Sequence, residues 1–95
     1  MADYLFLMHN DAVASEQAWA PYLHSLIEDG LLQGGSAIGD GVCERKNSAA
    51  AALTSHLVGF MRVRADSLDH ARSLLAGNPV FEAGGTVEIR ELPQT

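Results

Sequence analysis

Two histidines are the residues of this chain best suited to proton-transfer chemistry. His9 ends an apolar run and precedes Asn10-Asp11, and His56 begins another apolar segment. An imidazole titrates near neutral pH, so either side chain can serve as a general base. The alternative for each is a structural histidine held by hydrogen bonds at a strand end. We take His9 and His56 as candidate catalytic residues with that alternative open.

Arginines on two predicted strands could bind an acidic ligand. Arg62 and Arg64 share one face of a predicted strand, and Arg90 lies on the matching face of another. A guanidinium group can bind a carboxylate or phosphate through two parallel hydrogen bonds. The alternative is an ion pair with Glu88 or with a partner chain. Arg62 and Arg90 are therefore candidate ligand-binding residues.

Three further residues, in glycine-rich or charged segments, are also considered as site residues. Arg45, next to Lys46, could hold an anion from a loop or belong to a solvated charge cluster. Ser36 follows Gly34-Gly35 but forms no Gly-x-Ser-x-Gly elbow, so we assign it to ligand binding rather than to nucleophilic attack. Cys43 could be activated by Arg45 or be an inert small residue, and the second reading is favoured.

The residue pattern predicts no metal and no cofactor. The four histidines lack a metal-ligand spacing such as His-Glu-x-x-His, and one cysteine cannot build a structural zinc site. The glycines match neither a dinucleotide-binding fingerprint nor a phosphate-binding loop.

Hydrophobic patterning places these residues on a β-α-β-β-α-β order. Apolar or alternating runs predict four strands, over 3–9, 31–38, 56–64 and 86–92. Apolar spacings of three and four predict two helices, over about 15–29 and 67–77. The second strand contains the glycine pair, which indicates a bulge or the close approach of another backbone or a ligand.

Two segments are predicted to lie outside regular structure. Residues 42–55 combine a charged triplet with an alanine run, and we interpret them as a mobile surface loop with some helical tendency. Residues 80–85 are expected to form a connector into the last strand.

This order of elements is typical of a ferredoxin-like α+β domain. Its antiparallel four-stranded sheet carries two helices on one face, and residues 1–95 form a single domain. The opposite face would leave Phe60 uncovered among polar groups. Because an exposed apolar patch usually marks an interface, we predict a homodimer in which a second copy covers it.

Charge and cysteine content exclude several partners. Six basic residues face twelve acidic ones, giving a net charge of −6, so nucleic acid and anionic membrane surfaces are not expected partners. No apolar run approaches the roughly 20 residues that span a bilayer. A lone cysteine and an N-terminus without a signal-peptide pattern favour a cytoplasmic location.

Taken in order, segments covering nearly the whole chain resemble the YCII-related family of dimeric α/β barrels. The matching segments are an aromatic first strand, an aromatic pair on the first helix, a glycine-rich second strand and an Asn-Pro segment before the last strand: Tyr4–His9, Trp19 with Tyr22, Gly30 with Leu31-Leu32, Gly34–Ser36, Asn78–Gly85 and Thr86–Leu92. The resemblance implies a ferredoxin-like protomer and a dimer whose sheets face one another.

This chain departs from the family pattern at positions that matter for chemistry. Some relatives are thought to use a His-Asp pair near the cleft, in one case to dehalogenate an aromatic compound. The histidine would fall at Trp19 and the aspartate at Asn78, so that chemistry is not expected here. We take Asn78 as a candidate ligand-binding residue. The Asp-Gly-Pro-Phe stretch of longer relatives is replaced by the alanine-rich loop.

Two functional classes follow from these observations. In the first, the protein binds a small acidic or aromatic molecule in a cleft at the dimer interface, with or without catalysis, through His9, His56 and Arg62. In the second, it is a non-catalytic accessory module that docks onto another protein.

Overall fold

A four-stranded antiparallel sheet is the frame of the computed structural model, which describes residues 1–94. The strands are β1 (Ala2–His9), β2 (Leu32–Ala37), β3 (Leu57–Ala65) and β4 (Val87–Leu92). Their order across the sheet is β2-β3-β1-β4, and each neighbouring pair is antiparallel. The α+β class and the antiparallel sheet agree with the sequence prediction and are consistent with a ferredoxin-like arrangement.

Three helices occur within residues 1–94, one more than the sequence predicted. They are α1 (Trp19–Glu28), α2 (Leu68–Ser73) and α3 (Pro79–Glu82). The short helix α3 lies where a connector was expected. It forms because the buried Asn78 side chain caps its first turn and Pro79 presets the backbone at its first position.

The first helix begins later than Ser15. Residues Glu16–Ala18 form a 3-10 turn, and the Ser15 side chain makes no capping hydrogen bond. Starting α1 at Trp19 places Pro21 in its first turn, where a missing backbone N–H removes no helical hydrogen bond. With ten residues, α1 is the longest helix of the described chain, and no helix there is long and apolar enough to cross a membrane.

The core lies between the sheet and the helices. Alternate residues of the two central strands, among them Phe6 and Val63, are fully buried on this side. They pack with Tyr22 and Leu26 of α1 and with Ala71 of α2. Fully burying side chains of this size contributes roughly 1.5–3 kcal/mol each, so this layer is the main source of stability.

The glycine pair of β2 coincides with an irregularity in strand pairing, as the sequence indicated. The register with β3 shifts between Leu32 and Gly34, so Gln33 is the extra residue of a bulge. A Cβ atom on Gly35 would lie 2.7 Å from the Phe60 carbonyl oxygen. Glycine is therefore needed for this close approach of the two backbones.

A long irregular segment joins β2 to β3. Residues 38–56 form neither helix nor strand, and nearly all of their side chains are exposed. The alanine run at 49–52 is not helical, because a few residues without a packed face cannot offset the cost of helix nucleation.

Candidate functional site

A cavity of about 630 Å³ lies between α1 and the β2–β3 half of the sheet. Trp19 and Leu23 of α1 form one side, while Met8 and Met61 of the central strands lie opposite. Cavities of roughly 300–1,000 Å³ are typical of small-molecule sites, so this one is large enough for a ligand.

Small residues on the sheet explain why this space is not filled. Gly59 of β3 lies opposite Ala37 of β2, and Gly35 lies opposite Met61. Gly35, Ala37 and Gly59 all line the cavity. Two of these residues have no side chain and the third has only a methyl group. The helix α1 is consequently separated from the sheet here by open volume.

The cavity is apolar apart from two residues. Trp19 is an aromatic residue of its wall, whereas Glu16 is the single charged residue among the described residues that line it. The side chain of Phe60 lies on the other face of the sheet, beside Leu7. Ser36 is the one candidate site residue found there, and its hydroxyl donates a 2.9 Å hydrogen bond to the Ala37 carbonyl. No arginine, lysine or histidine of residues 1–94 lines this space.

The two candidate catalytic histidines lie together at a second location, the end of β1. Their ring centroids are 4.7 Å apart, with the planes inclined by 68°. His9 Nε2 lies 3.3 Å from Glu88 Oε1, and Glu88 Oε2 accepts a 3.1 Å hydrogen bond from Arg90. Arg90, and secondarily His9, hold the pKa of Glu88 below its usual value. We call His9, His56, Glu88 and Arg90 the histidine cluster.

Backbone and carboxylate contacts hold the histidine cluster in place. The Asn10 N–H donates to the His56 carbonyl at 2.8 Å, and the His9 N–H donates to the Thr86 carbonyl at 3.0 Å. Asp11 accepts hydrogen bonds from both the N–H and the hydroxyl of Thr86. The Thr86 hydroxyl is the main reason that the pKa of Asp11 lies below its usual value.

The arginines of β3 are engaged by a carboxylate on the neighbouring strand. Arg62 Nε donates to Asp3 Oδ2 at 3.0 Å, and Arg64 Nε donates to Asp3 Oδ1 at 3.2 Å. Chiefly through Arg62, this pairing lowers the pKa of Asp3. The sequence raised an ion pair with Glu88 as one alternative for these arginines. Glu88 is the partner of Arg90, whereas Arg62 and Arg64 share Asp3.

The remaining candidate residues lie elsewhere. Arg45 and Cys43 are exposed in the irregular segment, outside the cavity lining. Asn78 is fully buried, and its Oδ1 accepts hydrogen bonds from the N–H groups of Val80 and Phe81 at 3.0 and 3.1 Å. Its side chain is thus committed to capping α3. Across residues 1–94, no group of three His, Cys, Asp or Glu side chains is placed to hold a metal ion.

Sequence reasoning missed Glu16, Trp19 as a cavity residue, and Asp11. The signal for the cavity was present in the glycine pair of β2, which also indicated the approach of a ligand. The contribution of Gly59 could not be foreseen, because it depends on the register that places Gly59 opposite Ala37. Comparison with models of known protein families finds no match to this chain, and comparison with curated proteins finds none either.

Proposed function

We propose that this chain is a YCII-like protein that binds a small aromatic molecule in the cavity between α1 and the β2–β3 half of the sheet. The observation that carries the proposal is an apolar cavity of about 630 Å³ with Trp19 in its wall. Aromatic rings pack favourably against other rings and against methionine sulfur, which Met8 and Met61 supply.

The lining favours an aromatic ligand over an acidic one. A carboxylate placed in an apolar cavity is strongly disfavoured unless a cation or several hydrogen-bond donors meet it. Among the described residues, no cationic side chain lines the cavity. Arg62 and Arg90, the arginines first considered for an acidic ligand, already bind Asp3 and Glu88.

Trp19 makes the proposal directly testable, because it is the only tryptophan and lies in the cavity wall. 2-Phenylethanol would be titrated against the protein, with Trp19 excited at the red edge of its absorption, where the phenyl ring does not absorb. We expect a saturable change in emission. Ala37→Phe should abolish it by filling the cavity, while Ala20→Phe adds the same ring to the exposed side of α1 and should not.

Absence of a saturable change in the unaltered protein would count against a ligand-binding role. A saturable emission change that persists equally in Ala37→Phe and Ala20→Phe would show that the compound binds outside the cavity. Either result would favour the accessory-module alternative.

The proposal includes a homodimer through the sheet face opposite the helices, here called the open face. Leu5 and Leu7 of β1 lie there beside Phe60 of β3, and all three are only half-buried in the single chain. A second copy related by a twofold axis would remove this apolar group from water.

A second candidate function is proton transfer by the histidine cluster. It is supported by the 3.3 Å contact between His9 Nε2 and Glu88 Oε1 and by the adjacent ring of His56. A carboxylate on one ring nitrogen orients an imidazole and leaves the other nitrogen available to accept a proton.

This candidate is tested by deuterium incorporation at the carbon next to the ketone of phenylpyruvate in D₂O. We expect exchange above the spontaneous rate, with loss in His9→Gln and in His56→Gln. His24→Gln is the control, because His24 is exposed on α1 and contacts only Glu28 among ionisable groups of the described chain. Exchange at the spontaneous rate in the unaltered protein would remove this candidate.

A further inference from the structure

The cavity carries a negative charge on one side, although most of its lining is apolar. Glu16 lies in the 3-10 turn before α1, with its side chain exposed to solvent while contributing to the cavity lining. No Lys, Arg or His within residues 1–94 forms an ion pair with it. An apolar chamber with a free carboxylate at its solvent side is therefore complementary to a molecule with an apolar body and a positive end.

We propose that the cavity binds an aromatic amine in its protonated form, with the ring among the apolar residues and the ammonium group at Glu16. This inference rests on the proposed function and adds the charge of the ligand to it. The class it names is arylalkylamines, in which a short chain separates the ring from the amine. Such a chain lets the ring reach the buried part of the cavity while the ammonium group stays hydrated near the carboxylate.

Trp19 provides a second favourable group for the same cation. The face of an indole ring attracts an ammonium ion, and Trp19 lies three residues after Glu16 in the same wall. A cation at the solvent side of the cavity can thus be met by a carboxylate and by an aromatic face. A neutral ligand would use only the apolar part of the site.

The net charge of the whole chain also favours a cationic ligand. A net charge of −6 produces a negative potential that attracts cations and repels anions at low ionic strength. Arg62 and Arg64 share Asp3, and Arg90 pairs with Glu88, so two carboxylates offset most of the positive charge on β3 and β4. None of these three arginines lines the cavity.

Three compounds that share a phenyl ring and differ in charge test the inference. They are 2-phenylethylamine, 2-phenylethanol and phenylacetate, with affinities measured from Trp19 emission and by calorimetry. We expect the amine to bind more tightly than the alcohol by about two- to fivefold, the range of a solvent-exposed ion pair. Phenylacetate should bind more weakly than the alcohol, and added salt should narrow both differences.

Glu16→Gln tests whether the Glu16 carboxylate causes the preference for the amine. In this variant the amine and the alcohol should bind equally, with the affinity for the alcohol unchanged. Glu28→Gln makes the same change on α1 outside the cavity, and there the preference for the amine should persist.

The outcomes separate this inference from the proposal on which it rests. If the alcohol binds and Ala37→Phe prevents it, but the amine has no advantage or keeps its advantage in Glu16→Gln, only the role of Glu16 is overturned. If none of the three compounds binds, both the cavity function and the amine preference are overturned.

Discussion

Asp11 binds Thr86 through both of its carboxylate oxygens. Oδ1 accepts a 2.9 Å hydrogen bond from the Thr86 N–H, and Oδ2 accepts a 2.6 Å hydrogen bond from its hydroxyl. This contact connects the residues that follow β1 to the residue before β4, immediately beside His9 and Glu88. It therefore joins the end of β1 to the start of β4, the two strands that carry His9 and Glu88.

The contact predicts an acid-dependent loss of stability. The pKa of Asp11 is lower in the folded chain than its unfolded value of about 4. The carboxylate hence contributes stability above about pH 4, and this contribution is lost as pH falls through the lower folded value. In urea unfolding at pH 6, 4.5 and 3, we expect the free energy of unfolding to fall less steeply for Asp11→Ala than for the unaltered protein.

Thr86→Val is the matched variant, since it removes the hydroxyl and retains the backbone donor. Its dependence on pH should lie between those of the other two proteins. Parallel curves for all three would show that this carboxylate has the same pKa in the folded and unfolded chain.

Asn78 is predicted to stabilise the fold and to leave ligand binding unaffected. Asn78→Ala removes the acceptor of two N–H groups at the start of α3 in a fully buried position. We expect a loss of about 1–3 kcal/mol in the free energy of unfolding. Asn78→Ser keeps an oxygen acceptor and should lose less. A variant that stays stable but no longer responds to 2-phenylethanol would instead assign Asn78 to the ligand.

The proposed dimer is tested at Leu7, which lies opposite Phe60 on one side and Glu88 on the other. Leu7→Asp would place a second carboxylate beside Glu88 within the apolar contact. We expect dimer affinity to fall by at least about 100-fold, as for an unpaired charge at an interface. Native mass spectrometry and sedimentation over a range of concentrations measure this.

Val13→Asp is the control for the dimer test, because Val13 is 94% exposed and follows β1 rather than belonging to the sheet. It should leave the dimer intact. A monomer at every concentration of the unaltered protein would contradict the proposed assembly.

Two glycines facing the cavity are predicted to differ in their tolerance of alanine. A Cβ atom on Gly35 would meet the Phe60 carbonyl oxygen at 2.7 Å, so backbone atoms must move. On Gly59 it would meet the Ser36 carbonyl oxygen at 3.3 Å and the flexible Met8 Cε at 3.4 Å. Gly35→Ala should cost roughly 1–3 kcal/mol and Gly59→Ala less, as measured by thermal and chemical unfolding. The reverse order would contradict the register of β2 with β3.

The strands could be predicted because their burial repeats every two residues. In β3, Met61 and Val63 face the core while Arg62 and Arg64 do not, and this alternation is visible in the sequence. The helix α3 was missed because four residues contain no periodic signal. Its capping signature, an Asn followed by Pro79, was present and was instead interpreted through the family resemblance.

The contacts of the histidine cluster depend on strand pairing, which local patterns do not reveal. His9 and Glu88 come together because β1 pairs with β4, and His56 joins them because β1 also pairs with β3. For the same reason Asp3 was not foreseen as the partner of Arg62. The sequence places Asp3 in the first strand, and its charge gains a role only opposite β3.

The central position of β1 also constrains how this fold is reached during synthesis. The strand β1 is made before the other three strands of this sheet and lies between β3 and β4, with Asp3 opposite Leu92. One edge of β1 therefore stays without its partner until the last strand has been made, and pairings between residues so distant in sequence form slowly. A newly made chain must keep Leu5, Phe6 and Leu7 from pairing with other chains in that interval. The nascent protein is consequently most prone to aggregation just before β4 emerges.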